Sequence, residues 1–261
     1  MIVSSISRSV DVEAYLDEIQ RDGHPTRLIG FTGGEPFMNP AFPAILEATL
    51  SRGFETLTLT NAMRPMMRHK VVIARLVATY GPSMRMRVSL DDYRAEVHDR
   101  ERGRESFARA MEGLRWLASL GVTVEVAGRY LSGDRDDQLR HGFARTLSQA
   151  GIAIDCADPR QLVLFPEMRE DADPPEITPA CWGILNVSPE GVMCSSARMV
   201  VRRRGSQRPV VVPCTLLAYD QRFELGATLA DANKPVHLAH PHCATFCVLG
   251  GAACGAARKD H

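Results

Sequence analysis

The sequence predicts an α/β fold organised around a parallel sheet, and three observations carry that prediction. β-forming runs alternate with amphipathic helical patterns every ~30 residues. Glycines stop the helical patterns at Gly23, Gly53 and Gly121. Polar residues follow the strand runs at Glu35, at Asn61, at Ser89 with Asp91, and at Arg129. Right-handed crossovers of this kind wind into a barrel or a doubly wound sheet, and in either one ligands sit at the C-terminal ends of the strands. Those polar residues are therefore expected on one rim.

The elements follow in order. After a Ser-rich, unpatterned start over residues 1–9, Val12, Tyr15, Leu16 and Ile19 mark one face of a helix that ends at Gly23. Arg27 to Thr32 reads as a strand running into Thr32-Gly33-Gly34-Glu35-Pro36. Two glycines there let the backbone take positive φ and come close to a ligand, and Pro36 fixes the turn and removes a donor. A carboxylate at such a turn suits an ammonium group, although an ordinary strand-to-helix turn would read the same way. Ile45, Leu46 and Leu50 define a helix from Pro43 to about Arg52, and Glu55–Thr60 alternates as a strand into Asn61. A helix over about Arg68–Tyr80, a strand Met84–Leu90, a helix over about Ser106–Leu120 and a strand Val122–Ala127 come next. A helix over about Asp136–Ala150, a strand Ile152–Ile154 and a looser apolar run Leu162–Phe165 complete the pattern.

Individually, Asn61 and Asp91 read as turn formers or caps, Arg129 as a partner for a surface carboxylate, and Asp99 as a cap before the next helix. Jointly they offer a carboxylate for an ammonium group, Arg129 for a carboxylate, and Ser89 with Asp91 for hydroxyls.

Composition narrows the class. The 261 residues carry 31 basic and 31 acidic side chains, so no global field points to nucleic acid or to an anionic membrane. Arg202-Arg203-Arg204 reads as a solvated face. No apolar run approaches the ~20 residues that span a bilayer, and the N-terminus lacks signal-peptide layout, so a soluble cytoplasmic protein is expected. Seven cysteines, an odd count, fit metal binding better than a disulfide framework.

Residues 1–165 form the barrel or sheet unit, 166–180 a Pro-rich acidic linker, and 181–261 a cysteine-rich region. A hairpin over about Leu185–Cys194 is expected to bring thiols together. Cys181, Cys194, Cys214, Cys243, Cys247 and Cys254 are the candidate ligands of a metal or cluster, with zinc as the alternative beside His237, His240 and His242. Cys156 reads as a buried small apolar residue.

The Gly33-Gly34-Glu35-Pro36 turn resembles the second-strand signature of radical S-adenosylmethionine (SAM) enzymes. Thr60-Asn61-Ala62 is similar to their Thr-Asn-Gly strand exit, with Ala62 departing at the glycine. Arg87-Val88-Ser89-Leu90-Asp91, followed by His98-Asp99-Arg100, Arg102-Gly103-Arg104 and Phe107, resembles their fourth strand and helix. The resemblance covers roughly Val10 to Pro166 and implies a partial (β/α)6 barrel. It also implies that Gly33, Gly34, Glu35, Pro36, Asn61, Ser89, Asp91 and Arg129 bind SAM.

Members of this family hold a catalytic 4Fe-4S cluster on a Cys-x3-Cys-x2-Cys loop after the first strand, where SAM is cleaved to a 5′-deoxyadenosyl radical. Here no cysteine precedes Cys156, and Met1 lies about where that loop would finish. The barrel is accordingly expected to lack its first strand and to expose an edge, in a chain that is either N-terminally truncated or a noncatalytic relative binding SAM or a peptide. The cysteine-rich region resembles the SPASM and twitch extensions, which hold auxiliary 4Fe-4S clusters, although Cys243-x3-Cys247-x6-Cys254 departs from the usual spacing. The resemblance implies SAM and an auxiliary 4Fe-4S cluster as cofactors, and a catalytic cluster only with the missing loop. It further implies hydrogen-atom abstraction from a small-molecule or peptide substrate, with a flavodoxin or ferredoxin as electron donor. A zinc-stabilised interaction module is the other reading.

Overall fold

The computed structural model describes residues 1–4, 8–131, 133–167, 173–186 and 188–249. Six parallel strands form its frame in sequence order: β1 (Ile2–Ser4), β2 (Leu28–Thr32), β3 (Glu55–Thr60), β4 (Met84–Ser89), β5 (Thr123–Arg129) and β6 (Leu162–Phe165). The crossovers carry α1 (Ser9–Arg21), α2 (Phe42–Ser51), α3 (Arg64–Met67) with α4 (Lys70–Tyr80), α5 (Ala95–Arg102) with α6 (Ser106–Ser119), and α7 (Asp136–Gln149). Beyond them lie α8 (Ala180–Leu185), α9 (Met193–Ser196), β7 (Met199–Val201) and β8 (Val210–Val212). β7 pairs parallel with β1 and antiparallel with β8, so the sheet order is β6-β5-β4-β3-β2-β1-β7-β8.

Strand alternation assigns the two faces. Met84, Met86 and Val88 of β4 face the helices and are fully buried, as are Leu114 and Leu117 of α6. Ile29 and Phe31 of β2 lie on the same side, where the Phe31 ring meets Phe42 of α2 edge-on at 5.2 Å. The opposite, concave face carries Glu55, Leu57 and Leu59, then Arg85, Arg87 and Ser89, then Glu125, Ala127 and Arg129. Two charges on that face are buried together: Glu125 accepts from Arg87 Nε at 2.7 Å, with Arg85 Nη1 at 3.6 Å on its other oxygen.

Several elements differ from the sequence reading. The barrel edge expected to lie open beside β2 is covered by Ile2–Ser4, which takes the place of a first strand; an unpaired parallel edge accepts any extended segment that reaches it. Ile152–Ile154 is not a strand. It follows the end of α7, where Ile152 N donates to Leu147 O, and the sixth strand is Leu162–Phe165, in register with Val126–Arg129. The helix expected over about 68–80 is α4, and a further short helix, α3, precedes it where the sequence reading had none. The hairpin over 185–194 is replaced by helical turns: Ser188 Oγ accepts from Glu190 N and caps a 3-10 turn, Pro189–Gly191. Arg202 and Arg203 are not a solvated face, because Arg202 pairs with Asp11 at 2.6 Å and Arg203 with Glu224 at 2.9 Å. Cys156 is buried in the core as expected.

The C-terminal segment is tied to the barrel through α1. Tyr15 Oη donates to Ala227 O at 2.5 Å, and Glu18 Oε1 accepts from Leu229 N and Ala230 N.

Because Arg87 and Glu125 are paired out of water, removing one leaves an uncompensated buried charge. Glu125→Ala should lower unfolding free energy by about 3 kcal/mol in a urea titration, and Arg87→Met combined with Glu125→Leu should cost less than that single change. A loss under about 1 kcal/mol for Glu125→Ala would contradict the burial of this pair.

Candidate functional site

The rim is built strand by strand. At the exit of β2, Gly33 and Gly34 both take positive φ, 95° and 56°, and this double reversal swings Glu35 across to the neighbouring strand exit. Glu35 Oε1 accepts from Phe37 N at 3.1 Å and Oε2 from Asn61 N at 2.7 Å, while the Thr60 hydroxyl lies 2.9–3.0 Å from both oxygens. Burial pushes the Glu35 carboxyl above the usual carboxylate range, against bonds from Asn61, Phe37 and Thr60 and the charge of Arg102. The Thr60 oxygen also accepts from Ala62 N at 3.0 Å, and Asn61 Oδ1 accepts from Met63 N at 2.9 Å. Turn formation therefore accounts for the carbonyl of Asn61.

Ala62 sits fully buried at φ 57°, in the left-handed region, at the position where the motif has glycine. α6 presses on it closely enough that a Cβ added to Gly113 would stand 1.9 Å from Ala62 O.

At the exit of β4, Asp91 is only 2% exposed and every polar part of it is engaged. Its carboxylate takes a bidentate pair from Arg102, 2.7 Å to each oxygen. Its amide donates to His98 Nδ1 at 3.0 Å, and its carbonyl accepts from Arg129 N at 2.9 Å. Asp91 thus builds the rim and offers no open oxygen to a ligand hydroxyl. Arg129 keeps more freedom: its side chain is 36% exposed, with Nη1 3.2 Å from Glu101 and 3.9 Å from Asp91. Ser89 is half-buried on the concave face below. Asp99 has the capping role expected of it, accepting from Glu105 N and Phe107 N ahead of α6.

Thr60, His98 and Arg102 were not singled out by sequence as site residues. The available signal was the spacing of His98 and Arg102, four apart, which puts them on one face of α5.

Four of the six candidate metal-binding cysteines converge. Cys194, Cys214, Cys243 and Cys247 line one cavity with Met193, Leu217 and Leu238. Its free volume is ≈ 10 Å³, room for about one water molecule. Burial pushes the Cys214 thiol up to about 11 and raises Cys194 and Cys243 as well, so these groups are neutral thiols. Cys181 stands apart, its sulfur accepting from Thr178 N at 3.4 Å, and Cys254 lies outside the described residues. Among the described residues, no three His, Cys, Asp or Glu side chains are arranged to hold a metal ion as they stand. The donor set nonetheless fits a thiophilic group. Four thiols in an apolar wall are the ligands such a group takes, and ligation itself would supply their ionisation. His240 and His242 pack on each other, ring centres 4.5 Å apart, and His237 lines a separate groove with Trp182.

Residues 3–141, more than half of the chain, match the model of the radical SAM superfamily. The chain belongs to that superfamily. It is 35% identical over 97 residues to the antilisterial bacteriocin subtilosin biosynthesis protein AlbA of Bacillus subtilis (strain 168), a stretch covering 37% of this chain and 21% of AlbA. The radical SAM chain described here thus matches about a fifth of the length of that curated relative.

Among solved structures, Streptococcus suis SuiB bound to S-adenosylmethionine aligns with a TM-score of 0.56 at 11% identity, over 96% of this chain and 64% of SuiB. anSMEcpe with bound AdoMet and Kp18Cys peptide aligns with a TM-score of 0.59 at 12% identity, over 89% of this chain and 79% of that one. At these identities the likeness is one of fold. No described helix is long and apolar enough to cross a membrane.

The strained Ala62 gives a direct test of the rim. Glycine relieves the left-handed φ while adding some chain entropy to the unfolded state, so Ala62→Gly should stabilise the protein by about 0.5–1 kcal/mol, read as a raised Tm. A Tm lowered by more than the loss of one buried methyl explains, about 1 kcal/mol, would mean that Ala62 is not held at positive φ.

Proposed function

We propose that the rim of strand exits binds S-adenosylmethionine, that the cysteine cavity holds an iron–sulfur group, and that, given a catalytic cluster whose thiolates residues 1–155 do not supply, the protein serves hydrogen-atom abstraction from a peptide. One observation carries this reading: Glu35, Asn61, Asp91 and Arg129 leave four successive parallel strands at the same end of the sheet, Glu35 bonded to the Asn61 amide and Asp91 to the Arg129 amide, so both signs of charge stand at that end. SAM presents a carboxylate, an ammonium group and ribose hydroxyls, and needs both signs within a few ångströms. Arg129, the more exposed cation, would take the carboxylate. Main-chain groups of the Gly33-Gly34 turn, with Glu35 and Pro36, would meet the ammonium, and Ser89 and Asn61 the hydroxyls. Asp91 would act by holding Arg129 and Arg102 in place.

Reductively cleaved SAM supplies a 5′-deoxyadenosyl radical in this superfamily. Residues 1–155 contain no cysteine, so the rim offers no thiolate to a catalytic cluster; its own side chains bind and orient. A peptide substrate is supported by the relatives: AlbA is named for bacteriocin biosynthesis, and anSMEcpe is described with a bound peptide. A flavodoxin or ferredoxin would donate electrons.

For the cavity, Cys194, Cys214, Cys243 and Cys247 would be the ligands, in preference to Cys181. Zinc is the second reading there, favoured by the ≈ 10 Å³ volume, which admits one ion where a cluster would need the walls to part.

Calorimetry of SAM with the full chain should give binding that Arg129→Ala weakens roughly tenfold, and absence of binding by the wild type at ~1 mM SAM would remove the rim reading. Anaerobic treatment with iron and sulfide should give a brown protein with broad absorption near ~400 nm, abolished by Cys214→Ser and retained by Cys181→Ser. A colourless protein holding one zinc would favour the second reading.

A further inference from the structure

We infer that His98 is a positioning residue of the rim: through Nδ1 its neutral imidazole holds the main chain at the exit of β4 in the conformation that aligns Asp91 with Arg102 and Arg129. The inference deepens the proposed SAM site and rests on it for its functional consequence.

The ring is 0% exposed and packs edge-on against Phe107 at 5.8 Å. Nδ1 accepts the Asp91 amide, which puts the ring proton on Nε2, and Nε2 has no hydrogen-bond partner among the described residues. A buried imidazole with one N–H unpaired costs free energy that a leucine or phenylalanine in the same space would not. Packing alone therefore does not account for histidine here, whereas an acceptor aimed at the Asp91 amide does.

Arg102, one turn further along the same face of α5, grips the carboxylate of the same residue. The two side chains fix Asp91 at both ends, and Asp91 O in turn accepts from Arg129 N, so the placement of β5's exit depends on them. The charged groups around the ring are Asp91, Arg102, Asp99 and Asp92, and burial outweighs them in holding the imidazole neutral.

Two substitutions separate the acceptor role from mere filling. The amide oxygen of asparagine falls about where Nδ1 lies, while glutamine carries its amide one bond further out, near Nε2. Two readouts apply to the full chain: hydrogen exchange at the Asp91 amide without ligand, and calorimetry with SAM. His98→Asn should match the wild type within about twofold in both. His98→Gln should exchange Asp91 roughly tenfold faster and bind SAM roughly tenfold more weakly.

Equal protection of Asp91 in the two variants would overturn the hydrogen-bond role. Faster exchange in His98→Gln with unchanged SAM affinity would overturn the positioning role. If the wild type fails to bind SAM, the ligand reading of the rim falls by itself, and the exchange rates still decide whether His98 holds Asp91.

Discussion

A parallel strand ends by releasing main-chain amides that no ladder partner receives, and at the exits of β2 to β4 these amides lie in a largely buried rim. Side chains are their acceptors. Glu35 takes Phe37 and Asn61, Thr60 takes Ala62, and Asn61 takes Met63. His98 takes Asp91, and Asp92 takes Arg94. This requirement explains why carboxylates, a hydroxyl, an amide and an imidazole cluster where the strands stop, before any ligand is considered. A ligand arriving there meets side chains that are already ordered, which lowers the entropy lost on binding.

Charges fixed for one purpose need partners for another. Asp91 is buried, so it needs Arg102; Glu125, further from the strand ends on the concave face, is buried too, so it needs Arg87. The concave face thus carries pairs of opposite sign from the β5 exit downward. Arg129 differs because Glu101 and Asp91 are its partners at 3.2 and 3.9 Å and its side chain is over a third exposed. On physical grounds it is the rim cation whose current contacts a carboxylate ligand could most cheaply replace.

Strands β2 to β5 were legible in the sequence because their alternation and the glycines that follow are local signals. The placement of Glu35, Asn61, Asp91 and Arg129 on one rim follows from those strand ends alone. What each carboxylate binds does not. Glu35 reaches Asn61 N only because Gly33 and Gly34 both reverse the chain, and Asp91 is closed off by α5, a helix whose sequence Ala95-Glu-Val-His-Asp-Arg-Glu-Arg102 has no apolar period to announce it.

The sixth strand was a choice between two apolar runs that only pairing with β5 decides. The turn over Pro189–Gly191 was misjudged because Ser188 caps a helical turn with the same residues that would close a hairpin. β7 is three residues long, and its partner β1 lies nearly two hundred positions away, beyond any local pattern.

An open barrel has two edges, and the C-terminal region reaches both. On one side β7 extends the sheet from β1. On the other, Phe165 at the end of β6 stacks on Phe246 at 5.4 Å, within a cluster that includes Val192, Trp182 and Cys247. The cysteine cavity therefore sits in the part of the chain that bridges the gap between first and last strands. Because burial pushes the Cys194, Cys214 and Cys243 thiols up, a bound metal would have to displace their protons, and the free energy gained would be shared with every contact that needs this region in place. Metal ligation there would then be linked to the packing of this region on the sheet, through the Phe165–Phe246 stack and the β1–β7 pairing.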